Sequence, residues 1–142
     1  MMRYLAITLV ISLLIFLPAQ VAAEIVVITS SSSEITELTR RQVVDTYMGR
    51  VLITPNGQRL MPYDNEVIRE AFYRQLIGKT LAGVNAYWAG LLFSGRASPP
   101  RRVADNAAML ELIEENPNAI GYIDIQDLND QTNVIFRLSV DQ

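Results

Sequence analysis

Four groups of side chains in this chain have the types and spacing to do chemistry. Ser30-Ser31-Ser32-Ser33 follows the apolar run Ile25-Val26-Val27-Ile28, and four hydroxyls at the carboxyl end of a strand can hold an oxyanion. Asn65 and Arg69 stand at the start of a predicted helix, where an amide and a guanidinium can meet a ligand that approaches the helix amino terminus. Asp64, Glu66 and Glu70 crowd the same stretch and offer a cation site or a carboxylate pair; capping and solvation are the plainer account of them. Arg96, Arg101 and Arg102 flank Pro99-Pro100 in a basic loop that can meet an acidic partner or ligand, or simply be solvated. Each group has its plain alternative: a polar loop for the serines, and a salt bridge to Glu66 or Glu70 for Arg69.

Composition narrows the chemistry further. The chain has no histidine and no cysteine. That removes the usual general base, the usual metal ligands, the thiol nucleophile and any disulfide. No cofactor or metal is expected, and an enzyme would need a carboxylate pair in a shared cleft, of which the sequence gives no sign. Arg3, the apolar stretch Leu5 to Leu17 and the small residues Val21-Ala22-Ala23 read as a signal peptide over residues 1–23, cleaved after Ala23. The remaining 119 residues, 24–142, suit one domain and carry 11 basic and 15 acidic side chains. A net charge of −4 argues against nucleic acid and anionic membrane as partners. With no cysteine to carry lipid, the expected address is the periplasm, free of a lipid anchor.

The elements that must position these groups alternate between strand and helix. Residues 25–28 are apolar on both faces, as in a buried strand of a parallel sheet. Thr39 and Gln42 form a capping box, with Leu38 and Val43 at the staple positions, opening a helix that turns Val43, Val44, Tyr47 and Met48 inward and stops at Gly49. Pro55-Asn56-Gly57 is a turn before a short strand at 59–62. A second helix is predicted from about Asn65 to Ile77, a third from Thr80 with Val84, Trp88, Leu91 and Leu92 inward, and a fourth from Asp105 with Met109, Leu112 and Ile113 inward. Trp88 therefore reads as core. Strands at 119–123 and 133–138 close the chain, and Gly121 should permit close approach of a neighbouring backbone. The pattern predicts an α/β fold: a three-layer sandwich with a mixed, mostly parallel sheet between helices.

Tyr47-Met48-Gly49-Arg50, Pro55-Asn56-Gly57, Arg69-Glu70-Ala71-Phe72, Trp88, Phe93-Ser94-Gly95, Pro99-Pro100 and Asn116-Pro117-Asn118-Ala119-Ile120-Gly121-Tyr122 resemble, in order and spacing, the phosphate-type substrate-binding proteins of ABC importers. The likeness is to the small members that correspond to one lobe of a type II periplasmic binding protein. It implies a non-catalytic periplasmic binding module, a small oxyanion such as phosphate as ligand, and an ABC transporter as membrane partner. It also departs from the pattern at one point. Where the family has Ser-Gly-Thr before Arg-Glu, this chain has Glu66-Val67-Ile68, so two hydroxyls are lost and a carboxylate occupies the positive end of the helix. At ~4 Å and an effective dielectric of ~20, one such charge is worth about 4 kcal/mol against an anion. Two functions follow: weak oxyanion binding that needs a dimer or partner to supply the second wall of the cleft, or an interaction protein that docks on a transporter or sensor and has lost phosphate binding. Oligomeric state is left open.

Overall fold

The structure, a computed structural model, describes residues 24–138; the expected signal peptide lies outside the described residues. Among the described residues, five strands and four helices follow one another: β1 (Ile25–Ser30), α1 (Arg40–Tyr47), β2 (Met61–Asn65), α2 (Arg69–Ile77), α3 (Leu81–Phe93), β3 (Arg101–Val103), α4 (Asn106–Glu115), β4 (Ala119–Asp124) and β5 (Thr132–Arg137), with a short 3-10 turn at Ile125–Asp127. The strands form one sheet in the order β3-β2-β4-β1-β5.

Three layers result, as the alternating pattern predicts. Val27 on one face of β1 joins Tyr47, Phe72, Trp88 and Tyr122 in the larger core under α1, α2 and α3. Val26 and Ile28 on the other face pack with Met109 and Ile113 of α4. The sheet is mixed: β2 runs parallel to β3 and β4, whereas β1 runs antiparallel to both β4 and β5. The expectation that β1 belongs to a mostly parallel sheet is therefore corrected. Its unbroken apolar run reports helices on both faces, which bury it completely, and carries no information on the direction of its neighbours.

The Thr39–Gln42 capping box is formed in both directions, at 3.2 Å and 2.8 Å, and the staple residues Leu38 and Val43 are buried in one cluster. Gly49 takes φ 71° just after α1, and a Cβ there would lie 2.6 Å from Cη2 of Trp88. Gly121 lets α4 sit on β4, since a Cβ would overlap the Met109 sulfur; the close neighbour is a side chain, not the expected backbone.

Two boundaries move. The strand expected at 59–62 is β2 at Met61–Asn65, and α2 begins at Arg69, not near Asn65. Asp64 and Asn65 are still held in register with Arg102 and Val103, so strand pairing continues through residues whose polarity suggested a helix cap. β3 itself lies inside what reads as an exposed basic loop. Leu92, expected inward, is 51% exposed, because α3 runs beyond the edge of the core.

Candidate ligand-binding face

The carboxyl ends of β2, β3 and β4 meet the amino terminus of α2. There Asp64, fully buried at the end of β2, accepts hydrogen bonds from Arg69 Nε at 2.9 Å, Tyr73 Oη at 2.9 Å and Tyr122 Oη at 3.0 Å. Arg69 and Tyr73 are one helical turn apart on α2, so both reach the same carboxylate. Arg69 also donates to Asn85 Oδ1 of α3 at 3.0 Å, and its guanidinium lies over the Tyr73 ring at 5.6 Å. Burial pushes the Asp64 carboxyl above its ordinary value, and the donors from Arg69, Tyr73 and Tyr122 pull it back without cancelling that effect. The Tyr73 and Tyr122 hydroxyls are driven upward, first by burial and then by the neighbouring Asp64 charge, so they serve as donors at neutral pH.

A second polar chain runs beside this cluster. Asn65 Nδ2 donates to Asn106 Oδ1 at 2.7 Å and to the Tyr122 carbonyl at 3.2 Å, and Asn106 passes the chain to Asp127 at 2.5 Å. At the mouth, Glu66 pairs with Arg102 at 3.6 Å in solvent, and Val67 is 71% exposed. Ile68 occupies the N-cap of α2 and makes no side-chain cap.

The structure brings Asn65 and Arg69 together but places Ser30 to Ser33 elsewhere. Because β1 is antiparallel to β4, its carboxyl end lies level with the amino end of β4, where Thr29 Oγ1 donates to the Ala119 carbonyl. Four residues of strand separate that level from Asn65, roughly 13 Å. The serines satisfy their own turn: Ser30 and Ser32 hydroxyls lie 2.9 Å apart, and Ser33 Oγ accepts from Ile35 N. Arg69 does form a salt bridge, but with Asp64 and not with Glu66 or Glu70; Glu70 pairs with Arg74 instead. Asp64 is thus a buried partner where capping and solvation were expected. The three arginines are divided as well. Arg96 is exposed after α3, Arg102 faces Glu66, and Arg101 lines a cavity with Trp88, as alternation along a strand requires. Tyr73, Asn85, Asn106 and Tyr122 are site residues that the sequence reading missed; only the Arg69–Tyr73 spacing signals one of them.

No protein-family profile matches the chain, and no curated protein matches it in sequence. Solved structures do match. The substrate-binding protein assigned to a phosphate ABC transporter of Clostridium perfringens, solved with bound phosphate, superposes with a TM-score of 0.63 at 20% identity over 80% of this chain and 44% of its own. An ABC-type phosphate transport receptor from Vibrio cholerae gives 0.54 at 18% identity, over 80% and 45%. PstS from Borrelia burgdorferi gives 0.54 at 14% identity, over 80% and 46%. The chain has the fold of one lobe of a phosphate-type substrate-binding protein. It spans less than half the length of each of these structures.

Both limits of the described chain lie together at the end of the sheet where β4 terminates. Leu138 N donates to the Ile25 carbonyl at 3.0 Å, and Arg137 pairs with Glu24 at 3.0 Å. Ile25 stands opposite Asp124 at the carboxyl end of β4. Among the described residues no group of three metal-ligating side chains is assembled, and no helix is long and apolar enough to cross a membrane.

Proposed function

We propose that this chain is a non-catalytic, exported binding module of the phosphate-transporter type that acts by docking on a membrane transporter or sensor in the periplasm, with its own anion position closed. The observation that carries this reading is the sealing of Arg69, 3% exposed, against the buried carboxylate of Asp64. The cation that an oxyanion would seek is neutralised from within. Glu66 stands at the mouth of α2, and the cation beside it, Arg102, is already paired. Docking, by contrast, has exposed material to work with. Phe93 is 98% exposed at the end of α3, next to half-exposed Leu92 and the exposed Arg96, and aromatic and arginine side chains are the usual anchors of interfaces.

One observation favours a second reading, weak binding of phosphate or another small oxyanion. The first turn of α2 lacks a side-chain cap, which leaves backbone N–H groups for an anion if a partner or a second copy supplies the opposite wall.

Two measurements separate these. A photoreactive benzoylphenylalanine at position 93 should crosslink in cells to a membrane protein; no adduct would sink the docking reading. Thermal unfolding in millimolar phosphate should show no shift. A ligand at 100 times its dissociation constant adds about 2.7 kcal/mol, roughly 10 °C for a domain this size, so a phosphate-specific rise would favour the second reading.

A further inference from the structure

A cavity of about 250 Å3 opens at the amino end of β2, away from the Asp64 cluster. Its origin is the shortness of β3. That strand first pairs opposite Tyr63, so Met61 and Pro62 have no β3 neighbour, and Pro99-Pro100 stands off from them as a second wall. Trp88 of α3 closes the inner side, packed on Gly49. Leu52 and Met61, 38% and 39% exposed, extend the apolar lining, and Thr46 and Ser98 add two hydroxyls, of which that of Thr46 already donates to the Gln42 carbonyl.

One residue in this lining is charged. Arg101 is exposed and makes no ion pair among the described residues, whereas its neighbour Arg102 is paired with Glu66. Trp88 is 3% exposed, and its Nε1 has no acceptor among the described residues. A mostly apolar hollow, walled by tryptophan, proline and leucine with a single free guanidinium, has the complementarity of an apolar body that ends in one negative charge. Phosphate does not fit that description, because its hydrated oxygens gain nothing from tryptophan, proline and leucine walls.

We propose that this cavity is a binding site for a small amphipathic carboxylate, with the ring or branched alkyl body against Trp88, Pro99 and Leu52 and the carboxylate on Arg101. The hollow lies below the roughly 300–1,000 Å3 of drug-sized sites, which limits the ligand to about ten non-hydrogen atoms. The site is independent of the docking reading above and of the family ligand position, so its failure would leave both untouched.

Trp88 is the only tryptophan in the chain, so its emission reports on this wall directly. The full chain would be titrated with cyclohexanecarboxylate, with cyclohexanecarboxamide and inorganic phosphate in parallel. A saturable change in Trp88 emission is expected with the acid, and binding of the amide should be weaker by about tenfold or more, the worth of a charge-assisted hydrogen bond. Arg101→Gln should weaken the acid by the same factor, leave the amide unchanged and leave the melting temperature unmoved, since Arg101 is exposed. Leu52→Asp, which sets a carboxylate in the wall, should abolish binding of the acid. No saturable change at tens of millimolar acid, equal affinity for the amide, or an undiminished response in Arg101→Gln would each overturn the proposal.

Discussion

Replacing Arg69 with methionine tests whether the Asp64 cluster is a self-contained ion pair. Both partners are almost wholly buried, with side-chain exposures of 3% and 1%, so solvent screening offers little relief. Removing the guanidinium leaves a carboxylate held by two tyrosine hydroxyls alone. Breaking a buried pair from one side costs about 3–5 kcal/mol, well above the loss of a surface bridge. Urea unfolding of the Arg69→Met protein should show a destabilisation of that size with an unchanged m-value. The double variant Asp64→Asn, Arg69→Met should recover part of the loss, because an amide oxygen still accepts from Tyr73 and Tyr122 without an unpaired charge.

The pH dependence carries the same logic. The folded Asp64 carboxyl is already above its ordinary value of 3.8, and Arg69 is among the groups that restrain it. Without Arg69 the folded value rises further. The native state then binds more protons than the unfolded chain in the window above 3.8, so stability falls as pH rises through the folded value. The defect of Arg69→Met relative to wild type should therefore be largest at neutral pH and shrink as pH falls toward the ordinary carboxyl value. A variant within about 1 kcal/mol of wild type at neutral pH, or a defect that grows on acidification, would refute the reasoning.

Two further predictions follow from the fold. Restoring Ser-Gly-Thr at Glu66-Val67-Ile68 removes the carboxylate, frees Arg102 and returns two hydroxyls to α2, but it leaves Arg69 sealed on Asp64; calorimetry should therefore still detect no phosphate binding. Heats of binding in this variant would show that Glu66 and the missing hydroxyls, and not the Asp64 pair, close the anion position. Gly121→Ala forces a methyl group into the Met109 sulfur and should cost about 1–3 kcal/mol by thermal or urea unfolding; a cost near zero would mean that the flexible Met109 side chain swings aside, so that Gly121 is not needed to seat α4.

Most of the fold was legible in the residues because its signals are local. Thr39 and Gln42 announce a helix start through their own side chains, Asp105 caps α4 with an acceptor for Ala108 N, and the core spacing of Val84 and Trp88 is that of a single helix face. What escaped detection was set by pairing across the sheet. The run Ile25 to Ile28 records burial on both faces, yet the direction of β4 and β5 decides where Ser30 ends up, and nothing in the run encodes that. Asp64 shows the same limit. Its neighbours in sequence, Asn65 and Glu66, make it look like part of a polar helix mouth. Its neighbours in space are Tyr73, one helix later, and Tyr122, 58 residues on.

The cluster also gives the docking reading its physical basis, because it holds Arg69 without any ligand. A buried guanidinium needs a counter-charge, and Asp64 supplies one on the adjoining strand with hydrogen-bond geometry at 2.9 Å. Two tyrosine hydroxyls then satisfy the second carboxylate oxygen, so three of the roughly four lone-pair sites of the carboxylate are taken. An oxyanion arriving at α2 would have to displace Asp64 from Arg69 and also stand near Glu66, whose half-exposed carboxylate is paired with Arg102 and so adds only a small, screened repulsion to the cost of breaking the pair. The favourable terms left to it are a few backbone N–H groups and the end of a helix dipole, worth about 0.3–1 kcal/mol at an exposed site. On the docking reading proposed above, the lobe unaided does not offset that deficit, and what it presents outward is surface for a partner.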